Sequence, residues 1–115
     1  MKITRKFTTA GQDVYDSVTW VRRSSRITNA DGSVVFEMKD AEVPGSWSQL
    51  ATDIVVSKYF RKAGVPQVDA DGRPLKDSQG HPVTGPERSV RQVVGRLVGC
   101  WKHWGQKFGY FDSRK

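Results

Sequence analysis

Between residues 14 and 39, apolar and polar positions alternate with the period of a half-buried strand. Val18, Trp20 and Arg22 fall on one side of the first run, and Val34, Phe36 and Met38 share a face of the second. Between them, Ile27 precedes Asn29-Ala30-Asp31-Gly32, a turn signal whose glycine supplies positive φ. The pattern predicts a β-hairpin that ends by Val43-Pro44-Gly45. The period then becomes helical. Ser46-Trp47-Ser48-Gln49 fits a capping box opened by Ser46. Leu50, Ile54 and Tyr59, with Trp47, Ala51 and Val55, form an apolar stripe. Lys58, Arg61 and Lys62 suit the negative end of the helix dipole, and Gly64 and Pro66 stop the helix.

Residues 65–86 carry no periodic stripe and hold four of the five prolines. Asp71-Gly72 and Gln79-Gly80 mark turns, so an exposed loop is expected, with room for a short hairpin over Val68 to Leu75. A second helix is expected to begin at Pro86 or Glu87, with Thr84 and Glu87 as its capping box. Val90, Val93, Val94, Leu97, Trp101, Trp104 and Phe108 recur at spacings of three and four and make one continuous stripe. Gly105 or Gly109 ends it. The fold class expected is α+β: an N-terminal β-hairpin followed by two amphipathic helices joined by a Pro/Gly-rich loop.

The 115 residues fit one domain with a modest core. Nineteen Lys and Arg against twelve Asp and Glu give a formal charge of +7, which attracts phosphates or an acidic partner but equally describes a solvated surface. A single cysteine, Cys100, rules out an intrachain disulfide and suits a cytoplasmic protein. No apolar run approaches the roughly 20 residues of a membrane helix, and Met1 to Thr9 lack the apolar stretch of a signal peptide.

Candidate chemistry is sparse. Cys100 lies mid-helix beside the stripe and reads as a buried, inert thiol, since reactivity needs an accessible, electropositive setting. His81, His103 and Cys100 would offer three metal ligands where a structural zinc site takes four. In Asp69-Ala70-Asp71-Gly72 the glycine comes one place too early for a calcium loop, and Ser78 stands where its glutamate belongs, so a plain turn is expected. No phosphate loop, serine nucleophile elbow or cobalamin fingerprint of the Asp-x-His-x-x-Gly type is found. No catalytic, cofactor-binding or metal residue is assigned.

Three ordered blocks carry a family resemblance. Met1-Lys2-Ile3, Lys6-Phe7-Thr8 and Ala10-Gly11 open the chain. Val43-Pro44, Trp47 to Ile54 and Lys58 to Pro66 form the middle block. Val90 to Arg96, Trp101, Trp104-Gly105 and Gly109-Tyr110-Phe111-Asp112-Ser113 form the last. Together they resemble the N-terminal domain of the class II, vitamin B12-dependent ribonucleotide reductases, over nearly the whole chain. The resemblance implies the N-terminal segment, residues 1–115, of a larger α/β-barrel enzyme that converts ribonucleotides to deoxyribonucleotides for DNA synthesis, a B12-dependent ribonucleoside-diphosphate reductase. In such an enzyme adenosylcobalamin generates a thiyl radical inside the barrel. The family's reactive cysteines belong to motifs downstream of Gly109 to Ser113. This segment alone is therefore expected to be inactive, and to hold neither the cofactor nor the catalytic residues. Its implied partner is the downstream barrel polypeptide, with ribonucleotide substrate and nucleotide effectors reached only through the full enzyme. Neither specific nucleic-acid binding nor membrane binding is expected. The sequence stops at Arg114-Lys115, where the family runs on toward the barrel. The competing expectation is a free-standing basic module that binds nucleic acid through Arg88, Arg91, Arg96 and Lys102. Exposure of the second helix's stripe separates the two.

Overall fold

In the computed structural model, which describes residues 1–112, the chain forms a hairpin, a helix, a proline-rich meander and a second helix. Strand β1 (Trp20–Thr28) pairs antiparallel with β2 (Val34–Pro44), α1 spans Gln49–Lys58, and β3 (Val65–Pro66) pairs with β4 (Thr84–Gly85). Helix α2 spans Val90–Lys107. The α+β arrangement matches the expectation. The strand reading of residues 14–17 does not, because Val14–Ser17 form a 3-10 turn capped by Asp13.

Inside the hairpin the buried face differs from the one expected. Arg22 is exposed, while Val21, Arg23 and Ser25 turn inward against Val43, Ala41 and Met38. Two polar residues line this face because each is satisfied there. The Arg23 guanidinium donates to the carbonyls of Trp47 and Gly45, and Ser25 Oγ donates to Asp53 Oδ1 at 2.7 Å. On β2 the inward residues switch from Phe36 and Met38 to Ala41 and Val43. A bulge between Arg23 and Ser25 inserts one extra residue on β2, and Asp40 takes φ 57° to accommodate it. That single insertion changes the parity of the strand.

Helix α1 starts two residues later than the motif suggested. Ser48, not Ser46, is the N-cap and accepts from Ala51 N at 3.1 Å. Gln49 does not reach back to close a box; its amide donates to Ser24 O and Asp53 Oδ1. The buried face is Thr52, Val56 and Phe60, whereas Leu50, Ile54 and Tyr59 of the expected stripe face solvent. The helix ends at Lys58, well before Gly64. Lys62 reaches back to Val56 O at 2.6 Å and lies 4.5 Å over the Phe36 ring, where burial lowers its ammonium pKa.

The core is small. Ala41, Val43, Val56, Phe60, Val90 and Val93 are its buried apolar members, flanked by Trp20, Val21, Phe36, Met38, Trp47 and Val55. The proline-rich stretch is more ordered than a loop. It folds as a meander in which Leu75 N donates to Gln67 O and Val83 N to Leu75 O, with tight turns at Asp69–Gly72 and Asp77–Gly80. This differs from the short Val68–Leu75 hairpin mainly by adding a third rung, Lys76 against Pro82.

Candidate docking surface

Helix α2 is fastened to the core only through its first turns. Ser89 caps it, accepting from Arg91 N at 3.1 Å, and Gln92 Oε1 accepts from Ser89 N to complete a capping box. The box is therefore Ser89/Gln92, not Thr84/Glu87. Glu87 has another task. It is 2% exposed, and Oε1 accepts from Arg61 N at 2.8 Å and from Arg96 Nε at 3.1 Å. Arg96 in turn donates to Tyr59 O at 2.6 Å, closing off the end of α1. On the other side Glu42 N donates to Arg88 O, and Ser89 Oγ donates to Glu42 Oε1 at 2.7 Å. Arg91 Nε lies 3.1 Å from Glu42 Oε1 without the alignment of a hydrogen bond, so that contact is ionic, and the guanidinium packs on the Trp20 ring at 4.5 Å.

Beyond those fastenings α2 projects. Val90 and Val93 are buried, but the rest of the same stripe is open: Val94, Leu97, Trp101, Trp104 and Phe108 are 39–64% exposed. The apolar face continues past the point where the chain covers it. Gly109, at φ 71°, follows the C-cap Phe108 and turns the chain back, so the helix terminator is Gly109. Gly105 instead lies buried within the helix, where the Phe111 ring packs on it so closely that a Cβ would not fit. Tyr110 N donates to Gly105 O at 2.9 Å, and Asp112 N pairs with Met1 O at 3.0 Å. The Met1 ammonium returns bonds to Tyr110 O and Asp112 Oδ1. The N-terminal segment is thereby tethered at Met1 near the far end of α2, leaving a groove of about 730 Å³ between the two. Ile3, Phe7, Val98, Trp101 and Phe111 give it apolar walls, and Lys2, Arg5, Lys6 and Lys102 give it charge. Neither groove nor tether is legible in the sequence, since Met1 to Thr8 carry no periodicity.

Cys100 is exposed, which corrects the buried reading: it lies on α2 where that helix has left the core. His103 is exposed on the same helix, and His81 sits 3.8 Å from Asp77 in an exposed turn. No three His, Cys, Asp or Glu side chains gather around a metal-sized space among the described residues. Asp69 Oδ1 accepts from the backbone of Asp71 and Arg73, as a plain turn requires. Neither imidazole lines the groove, so the described residues offer a cobalamin no histidine ligand there. Among Arg88, Arg91, Arg96 and Lys102, two are engaged internally by Glu42 and Glu87, so the four do not form the free basic cluster a nucleic-acid module needs. No helix among the described residues is long and apolar enough to cross a membrane.

A family model described as class II vitamin B12-dependent ribonucleotide reductase matches residues 21–115. Vitamin B12-dependent ribonucleotide reductases from Agrobacterium fabrum and Bradyrhizobium diazoefficiens are 40% and 42% identical over 100% and 98% of the chain. One from Streptomyces avermitilis is 39% identical over 98%. In each case the chain spans only 10% of the relative's length.

Proposed function

Because the chain belongs to the class II vitamin B12-dependent ribonucleotide reductase family, we propose that it serves as the N-terminal domain of such an enzyme, binding the catalytic polypeptide through the open stripe of α2. The observation that carries this is the stripe itself. Large apolar side chains at Leu97, Trp101, Trp104 and Phe108 share one helix face and remain exposed, as on a surface completed by a partner. The domain's contribution is structural. The chemistry, reduction of ribonucleotides with adenosylcobalamin, belongs to the remaining polypeptide, and substrate and effectors are bound there. The single cysteine agrees with this division, since a thiyl radical and a reducing cysteine pair need several.

The test mixes the 115-residue chain with the remaining nine tenths of the Agrobacterium fabrum relative, expressed separately. Association should raise the melting temperature of the chain and shift its tryptophan emission to the blue, as Trp101 and Trp104 lose water. The chain alone should form no deoxyribonucleotide from any ribonucleotide with adenosylcobalamin and a dithiol. A chain that stays monomeric, melts cooperatively at high temperature and ignores the larger polypeptide would overturn the proposal.

A further inference from the structure

The geometry points to an acidic, extended segment of the longer reductase polypeptide as the occupant of the groove between the N-terminal segment and α2. This deepens the domain reading and rests on it. Three observations select that occupant. The first is charge. Lys2, Arg5, Lys6 and Lys102 line the groove, and none forms an ion pair among the described residues. The one carboxylate in the lining, Asp112, is held by the Met1 ammonium at 2.5 Å. Four cations without a counter-charge around a low-dielectric wall favour an anionic partner.

The second is the wall. Ile3 and Val98 are aliphatic and Phe7, Trp101 and Phe111 aromatic, so the wall is apolar along its length. Apolar walls of this kind accept leucine- or phenylalanine-like side chains. An amphipathic acidic peptide meets both the wall and the charge.

The third is continuity. Trp101 belongs to the groove and to the open stripe at once. A polypeptide covering the stripe therefore reaches the groove without a gap, and the relatives are about ten times longer than this chain. A tethered segment also arrives at an effective concentration near the millimolar range, so a weak acidic contact suffices.

The experiment uses the chain and the separately expressed remainder of the Agrobacterium fabrum relative, at 50 and 300 mM salt. Lys102→Glu should weaken association at least tenfold at low salt and much less at high salt, and Lys102→Gln should fall between it and the parent. Trp104→Ala, outside the groove lining, should weaken association equally at both salts. A photo-crosslinking residue at position 102 should capture a segment rich in Asp and Glu, and charge reversal in that segment should restore binding to Lys102→Glu. Association that Lys102→Glu leaves unchanged overturns the groove proposal while sparing the domain reading. Failure of the parent chain to associate overturns the domain reading and this proposal with it. Sub-micromolar binding of a twelve-residue oligothymidylate that quenches Trp101 would assign the groove to nucleic acid and overturn it as well.

Discussion

Replacing Glu87 with alanine removes a buried carboxylate that ties the end of α1 to α2. The side chain is 2% exposed and accepts from the Arg61 amide at 2.8 Å and the Arg96 guanidinium at 3.1 Å. Without it, the Arg61 N–H loses its acceptor and Arg96 is left as a partly desolvated cation. Breaking a buried pair from one side costs about 3–5 kcal/mol. The Arg96 side chain is 29% exposed and can recover some water, which places the loss near the lower end of that range. Glu42 supplies the control. It also pairs with an arginine on α2, but the two side chains are 29% and 42% exposed. Glu42→Ala should cost about 1–2 kcal/mol, an exposed pair plus one hydrogen bond. A domain of this size has roughly 5–15 kcal/mol in total, so Glu87→Ala should lower the melting temperature by more than about 10 °C. Urea unfolding followed by far-ultraviolet circular dichroism at low micromolar concentration measures both variants. If Glu87→Ala costs no more than Glu42→Ala, burial is not what makes the Glu87 pair matter.

Cys100 is exposed, so the native chain should react with a thiol reagent at nearly the rate of a free cysteine, and Cys100→Ser should change stability by about 0.5 kcal/mol or less in a denaturant titration. Gly105→Ala should push the Phe111 ring off α2 at a cost of about 1–3 kcal/mol, visible as faster proteolysis of the C-terminal residues. The Asp31 carboxyl is held below its usual pKa by the Ser33 hydroxyl and then the Ser33 amide. A depressed folded value means that its contribution to the hairpin is present above about pH 4 and is lost as pH falls through the folded value. Ser33→Ala should therefore raise the Asp31 pKa measured by carboxyl NMR titration.

How much of this could be read from the chain depended on which residues faced inward. The hairpin turn at Asn29–Gly32 and the α2 stripe were legible because each follows a single period. The inward face of β1 was not, because half-buried Arg23 and buried Ser25 are polar, satisfied by Gly45 O, Trp47 O and Asp53. The bulge at Asp40 then reversed the parity of β2, which no alternation rule anticipates. Both helices are capped later than their motifs suggest, α1 by Ser48 alone rather than Ser46 and α2 by a Ser89/Gln92 box rather than Thr84/Glu87. Each stretch offers two hydroxyl residues near the helix start, and tertiary partners decide: Gln49 is drawn to Ser24 and Asp53, and Glu87 to Arg61 and Arg96. The groove was illegible because its two walls, Met1 to Thr8 and the far half of α2, are a hundred residues apart and joined by main-chain bonds.

The stripe on α2 is legible in full, yet it divides into two halves with different duties. The chain exposes 9061 Å², whereas a compact monomer of 12.9 kDa exposes about 6,300 Å². Its radius of gyration is 17.5 Å against about 13 Å for a compact domain of this length. The excess, about 2,750 Å², is at least as large as the roughly 1,000–2,500 Å² that one partner contributes to an obligate interface. Two alanine substitutions on the same stripe separate the halves. Val93 is 7% exposed and packs in the core, so Val93→Ala should destabilise the isolated chain by about 2 kcal/mol, from two lost methyls and the cavity they leave. Trp104 is 54% exposed, so Trp104→Ala should cost the isolated chain about 1 kcal/mol or less. It should weaken association with the larger polypeptide by about 2–4 kcal/mol, as for an aromatic anchor at the centre of an interface. Equal effects of the two substitutions on the isolated chain would mean that the stripe is already closed within these residues, and the apparent excess of surface would then have no partner to explain it.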